Sequence, residues 1–289
     1  MFIITQFIGL YVVNFYSHNQ EALPYGMEPP QIEEQADYNE IFVGILIAFV
    51  IAIIIMLLLS KFNAAFILRL WFFLVVILAL GITFNAIFLE FSIPYALLIA
   101  SLLAAVLAVF KIYQRNLMVH NLTELFIYPG IAAVFVPILN IWTIIIFLII
   151  ISIYDMWAVW HSGIMQKMAK YQIDHLKIFG GFFVPHLTKN QKQIIKKMKK
   201  SGKTKELEKK KFRIGLAILG GGDVIFPIIT AGVVLKAWGL IPALLVILGA
   251  TLGLLYLFIR SEKKKFYPAM PFITTGIFAG MLIGWALQL

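Results

Sequence analysis

The chain has 289 residues, 62% apolar and only 13% charged, with a formal net charge of +10. That apolar share excludes an ordinary soluble domain and places the chain among all-α polytopic membrane proteins. It contains no cysteine and only five histidines, which excludes disulfides, thiolate catalysis and cysteine metal sites and leaves no ligand-like cluster for zinc. Neither a metal nor a cofactor is therefore expected. The positive balance does not point to nucleic acid, because the basic residues flank apolar spans.

Nine apolar segments follow one another: Met1–Tyr16, Ile41–Leu59, Ala64–Leu89, Ile93–Phe110, Leu122–Leu139, Ile141–Met165, Ile214–Leu235, Leu240–Ile259 and Pro268–Leu287. Most approach the ~20 residues that a spanning helix needs. The first is shorter, about 24 Å at 1.5 Å per residue. It lacks a basic leading region and a small-residue cleavage site, so it reads as a helix and not as a cleaved signal.

The loops set an orientation. Ser17–Glu40 holds six acids (Glu21, Glu28, Glu33, Glu34, Asp37, Glu40) and no Lys or Arg, while Gln166–Arg213 holds fifteen Lys or Arg. With nine spans, 23 of the 24 Lys and Arg fall on one side, Lys236 being the exception. The positive-inside rule then predicts a cytoplasmic N-terminus and an extracellular C-terminus. The chain reads as one polytopic domain: spans one to six over 1–168, a cytoplasmic loop over 169–212, and spans seven to nine over 213–289.

Within that loop, Lys189–Lys211 is a Lys-rich solvated linker attracted to anionic lipid. Ile178–Val184 is apolar but too short to span. Interrupted by Gly180-Gly181 and followed by Pro185, it reads as a strand. Trp142, Trp238 and Trp285 read as interfacial anchors at outer span ends. Asn121-Leu122-Thr123 forms a glycosylation sequon on the cytoplasmic side and is set aside. Glu124, at the start of the fifth span, reads as a structural acid at a helix N-terminus.

Two acids lie deep in apolar spans, Asp155 and Asp223. A charge at mid-bilayer costs about 2.5–3.5 kcal/mol on insertion scales, and such groups face a protein interior or a water-filled cavity. Asp155 precedes Lys167 by twelve residues, about 18 Å along a helix, and Asp223 follows Arg213 by ten, about 15 Å. The two thus reach similar depths from the same face on consecutive spans, which usually neighbour each other. Close carboxylates share a proton, so that one takes a proton from water while the other donates to a carbonyl oxygen. Depth and spacing alone leave three readings open: an aspartic dyad, a proton relay in a transporter, and a structural pair. Gly220, Gly221 and Gly222 directly before Asp223 suit close approach by a substrate backbone or by another helix. Pro227 removes the donor to the Asp223 carbonyl and lets the helix bend beside the acid. Transporter helices are broken in the same manner.

Tyr154-Asp155 in one span and Gly220-Gly221-Gly222-Asp223 in the next resemble the presenilin and signal peptide peptidase family of intramembrane aspartyl proteases. Pro268-Ala269-Met270-Pro271, opening the last span, resembles that family's Pro-Ala-Leu motif, with Met for Leu keeping volume and apolar character. The resemblance implies nine spans, with Asp155 and Asp223 as the catalytic pair. It further implies Gly220, Gly221 and Gly222 shaping the site, Pro268, Ala269 and Met270 lining it and holding substrate, and Tyr154 packing near the dyad. The predicted orientation matches presenilin, while the sequences around both aspartates are closer to signal peptide peptidase, as a microbial, archaeal-type homologue between the two would be.

The implied partners are transmembrane helical protein substrates and the lipid bilayer of the cell membrane, and a homo-oligomer is compatible with the reading. A substrate helix must unwind before water reaches its peptide bonds, and the strip Ile178–Val184 is expected to receive it as an added strand. A proton-coupled transporter using the same aspartates is the alternative. A prepilin-type peptidase, which shares Gly-X-Gly-Asp, is disfavoured because its other aspartate belongs at the membrane border.

Overall fold

The computed structural model describes residues 1–19, 23–28, 30, 32, 34–62, 64–114, 116–162, 178–186, 215–261 and 267–288. Among them run nine α-helices: α1 (Phe2–His18), α2 (Gln35–Lys61), α3 (Ala65–Glu90), α4 (Ala96–Tyr113), α5 (Leu117–Phe135), α6 (Ile141–Trp157), α7 (Gly221–Trp238), α8 (Leu240–Arg260) and α9 (Met270–Ala286). Seven of these helical segments are long and apolar enough to cross a membrane by length and composition. Helices suit this setting because they satisfy their backbone polar groups internally where no water can. Most of the bilayer-facing surface is large aliphatic and aromatic side chains, such as Ile51, Phe66, Leu98 and Leu252.

Small residues set how closely the helices approach. On α4, Ala96, Ala100, Ala104 and Ala108 repeat every four residues and are all buried, a one-face spacing that packs against α3. Between α8 and α9 the pair Gly249/Gly276, with Gly253 against the Phe272 carbonyl and Gly280 against the Leu245 carbonyl, brings the backbones together. A Cβ on Gly249 would run into the Gly276 carbonyl, and one on Gly276 into the Gly249 carbonyl. This is the close approach by which membrane helices associate when there is no hydrophobic drive between them.

Helix α1 packs among α3, α5 and α7. The Tyr16 hydroxyl donates to the Ile82 carbonyl at 2.8 Å, and the buried Gln6 side chain donates through Nε2 to the Val224 carbonyl at 3.0 Å. By contrast α2 is peripheral and leaves most of its length outward. Phe42 anchors it edge-on to Phe147 of α6, with ring centroids 6.0 Å apart.

Three expectations change. The seventh span does not run as a helix from Ile214. Gly215–Gly220 is a strand, β2, paired antiparallel with β1 (Gly181–His186), and α7 begins only at Gly221. Cross-strand bonds satisfy the same backbone groups that helix bonds would have, and three successive glycines disfavour helix at the junction. Gly181 adopts φ +147, where a Cβ would collide with the Leu219 carbonyl, so glycine is required there. Next, α5 starts at Leu117, where Asn116 caps it by accepting from the Met118 amide at 2.8 Å. Glu124 therefore lies two turns inside that helix and not at its N-terminus. Finally, the fourth span continues as helix past its predicted end at Phe110, and Lys111 is buried on α4. The predicted strand at Ile178–Val184 overlaps β1 at Gly181–Val184, with Ile178–Gly180 preceding the strand, while the Lys-rich stretch Lys189–Lys211 lies outside the described residues.

Candidate active site

Asp155 sits at the end of α6, immediately before a π-helical turn at Ala158–Ser162. Such turns redirect side chains and are frequent at functional sites. The aspartate is 6% exposed. Its Oδ2 accepts the Met270 backbone N–H at 3.0 Å, and the Ala269 amide contacts it as well. Pro268 and Ala269 are buried just before α9 begins, so the first amides of that helix, which have no intrahelical acceptor, are turned onto Asp155. One helical turn away on each element, Ser152 Oγ donates to Thr274 Oγ1 at 2.8 Å, a buried bond that fixes α6 against α9.

Asp223 is the third residue of α7 and 9% exposed. Its carboxylate turns back over the strand–helix corner. The Gly220 amide contacts it, and a Cβ on Gly220 would lie 3.2 Å from its Oδ2. An N3 acid reaching back to the N-cap amide is a capping geometry, and a carboxylate in a first turn also meets the positive end of the helix dipole. Asp155 and Asp223 lie within reach of each other's charge.

The three glycines differ in role. Gly220, within the seventh span expected to be helical, is extended backbone beneath the Asp223 carboxylate. At Gly221 a Cβ would stand 2.9 Å from the Tyr128 hydroxyl. Gly222 is exposed, and a Cβ there would make only an ordinary contact with Phe226 at 3.5 Å. Gly221→Ala is accordingly expected to destabilise the protein by about 1–3 kcal/mol through overpacking. Gly222→Ala is expected to leave stability unchanged or to raise it by up to ~1 kcal/mol through helix propensity. Thermal unfolding in detergent separates them, and equal melting temperatures would count against this assignment.

Tyr154 packs laterally. Its ring lies edge-on to Phe49 of α2 at 6.1 Å and beside Trp157 at 6.4 Å.

Sequence reasoning passed over a polar column on α5. His120, Glu124 and Tyr128 follow at four-residue intervals along one face. Glu124, 1% exposed, forms a buried ion pair with Lys111 of α4. His120 stands 3.3 Å from the same Lys111 ammonium through Nδ1 and 2.8 Å from the Gly181 carbonyl through Nε2. Tyr128 is buried beneath Gly221. The column runs from β1 to the corner that carries Asp223. Beside it, the sequon residue Asn121 bonds Phe183 twice: its Nδ2 donates to the Phe183 carbonyl at 2.8 Å, and its Oδ1 accepts the Phe183 amide at 3.0 Å. The outward edge of β1, expected to receive a substrate strand, is thus occupied at Gly181 and Phe183. A polar or charged residue four positions from another inside an apolar span was the available signal.

A family model described as "Signal-peptide peptidase, presenilin aspartyl protease" matches residues 1–288. Two solved structures of a presenilin family intramembrane aspartate protease are similar in fold. The one in the C222 space group is 19% identical with a TM-score of 0.61, covering 99% of this chain and 96% of that one. The one in P2 is 20% identical with a TM-score of 0.57, covering 98% and 96%. No curated protein sequence matches the chain. Neither likeness supports the transporter alternative.

Proposed function

Since the chain belongs to the signal-peptide peptidase and presenilin family of aspartyl proteases, and is an intramembrane aspartyl protease acting on transmembrane protein substrates, we propose that Asp155 and Asp223 are its catalytic pair. One carboxylate accepts a proton from water as the water oxygen attacks the scissile carbonyl carbon. The other donates its proton to the carbonyl oxygen, and the tetrahedral intermediate collapses with proton transfer to the leaving nitrogen. The observation that carries this reading is that two buried carboxylates, from α6 and α7, lie within reach of each other's charge, one of them bonded to the Met270 amide at 3.0 Å.

In this reading Gly220 and Gly222 leave room for a substrate backbone, Gly221 seats the corner on Tyr128, and Pro268, Ala269 and Met270 line the site. Tyr154 contributes packing at the α2 side. A substrate segment unwound to a strand reaches Asp223 along β2, whose Ile218 is 44% exposed and which leads directly into Gly220. Both acids lie on this one chain, so the purified protein is expected to cleave without another subunit. The assay that tests this is cleavage of a transmembrane-helix substrate by purified protein, with the aspartate variants as controls.

Orientation belongs to the same proposal. The loop charges support a cytoplasmic N-terminus in the cell membrane and substrates with an extracellular N-terminus. The native chain has no cysteine, so single cysteines at Glu28 and Ser261 report sidedness cleanly. A membrane-impermeant thiol reagent added to whole cells is expected to label Glu28→Cys and to spare Ser261→Cys. The reverse pattern would invert the topology.

A further inference from the structure

The β1–β2 sheet has two strands among the described residues, yet β1 is bonded on both edges. In its register Gly181 faces Gly220 and Phe183 faces Ile218. The Gly221 amide donates to the Gly180 carbonyl at 3.2 Å, so position 180 belongs to a bonded pair. Bonded and non-bonded pairs alternate along an antiparallel ladder. The amides and carbonyls of Gly181 and Phe183 therefore point away from β2, toward α5, where Asn121 and His120 meet them.

The Asn121 carboxamide offers one N–H and one C=O in a plane, the same pair a peptide unit presents. It contacts Phe183 through both, at 2.8 and 3.0 Å. Two residues back, the Gly181 carbonyl accepts from His120 Nε2 at 2.8 Å. A carbonyl only accepts, so the proton is assigned to Nε2, and Nδ1 is left to accept from the Lys111 ammonium at 3.3 Å. Lys111 is held in turn by its buried pair with Glu124. From Phe183 and Gly181 the fixation passes through the β1–β2 ladder to Gly220 and to the carboxylate resting on it.

We propose that Asn121, supported by His120, replaces a third strand on the outer edge of β1 and is a positioning residue that sets the register of the sheet against Asp223. It touches neither the dyad nor the reacting atoms. It fixes where β2 stands, and hence which peptide bond of a substrate paired along β2 faces the aspartates. The inference rests on the proteolytic reading and on strand-like delivery of substrate.

The test compares wild type with Asn121→Ala and Asn121→Asp on one transmembrane substrate, recording product masses, kcat, KM and melting temperature. Asn121→Asp keeps the acceptor for the Phe183 amide and loses the donor, and it stands in if Asn121→Ala does not fold. A displacement of the corner by about 1 Å is expected to lower kcat by about 10- to 100-fold and to spread cleavage over neighbouring peptide bonds, with KM changed less. Asn121→Asp should fall between Asn121→Ala and wild type. Folded variants that cut the wild-type bond alone, at whatever rate, would overturn the proposal, since a role in stability alone lowers the melting temperature without moving the cut. Asp223→Ala is run alongside. Persisting cleavage in that variant refutes the dyad, a result distinct from unchanged cleavage positions in the Asn121 variants.

Discussion

Asp155→Ala and Asp223→Ala are each expected to lower cleavage of a transmembrane-helix substrate by about 10³-fold or more, to the background of the assay. General acid–base help from one positioned group is worth about 10²–10⁴-fold, and here each group needs the other. With one carboxylate gone, the remaining acid has no partner to share the proton that must reach the carbonyl oxygen as water is deprotonated. Groups that act as a unit lose activity non-additively, so the double variant should be no slower than either single one. Asp155→Asn and Asp223→Asn are the folding controls. They keep size and hydrogen bonding and should keep the melting temperature while remaining inactive. Residual cleavage above about a tenth of wild type in either alanine variant would rule that aspartate out of the chemistry.

The second large effect is on stability. Glu124→Ala removes one half of a buried ion pair and leaves the Lys111 ammonium inside the bundle, both side chains being 1% exposed. Breaking such a pair from one side typically costs about 3–5 kcal/mol, because the orphaned charge has lost its solvation and gained nothing. His120, 3.3 Å from the ammonium, offers a lone pair but no negative charge. Lys111→Met in the Glu124→Ala background removes the stranded charge and should recover much of the loss, whereas Lys111→Met alone strands the carboxylate. A thermal-denaturation cycle over the four proteins reads the coupling directly, and additive losses would show that the pair is not coupled. The Glu124→Ala loss should be accompanied by reduced proteolysis, because the same Lys111 holds His120 against β1.

The two aspartates proposed as the catalytic pair stand out in the sequence because an acid in an apolar span requires explanation. The helices are equally visible, because about twenty apolar residues in lipid have one economical conformation. Strand β2 was hidden by that same rule. Gly215–Gly220 is apolar throughout, and a short apolar run adjoining a helix has no period that separates strand from helix. Its partner β1 was legible only because Gly180-Gly181 and Pro185 punctuate it. Asn121 was hidden for another reason. Its bonding partner Phe183 lies 62 positions away in sequence, and locally the residue reads as the start of a sequon. In the predicted spans Lys111 stands just past one end and Glu124 just inside another, where a lone charge is normally assumed to reach for the interface. Only the packing of α4 on α5 turns them toward each other.

The glycine contacts between α8 and α9 bear on mechanics. With the two backbones in contact at Gly249/Gly276, Gly253/Phe272 and Gly280/Leu245, those helices have no compressible side-chain layer between them and behave as one stiff girder. Met270 stands on that girder, and its amide fixes Asp155. Any opening that admits a substrate backbone must therefore be absorbed where the hydrogen-bond pattern already changes: the π turn after Asp155 and the strand-to-helix joint at Gly220. These are the two compliant hinges of the site, and each adjoins one of its acids.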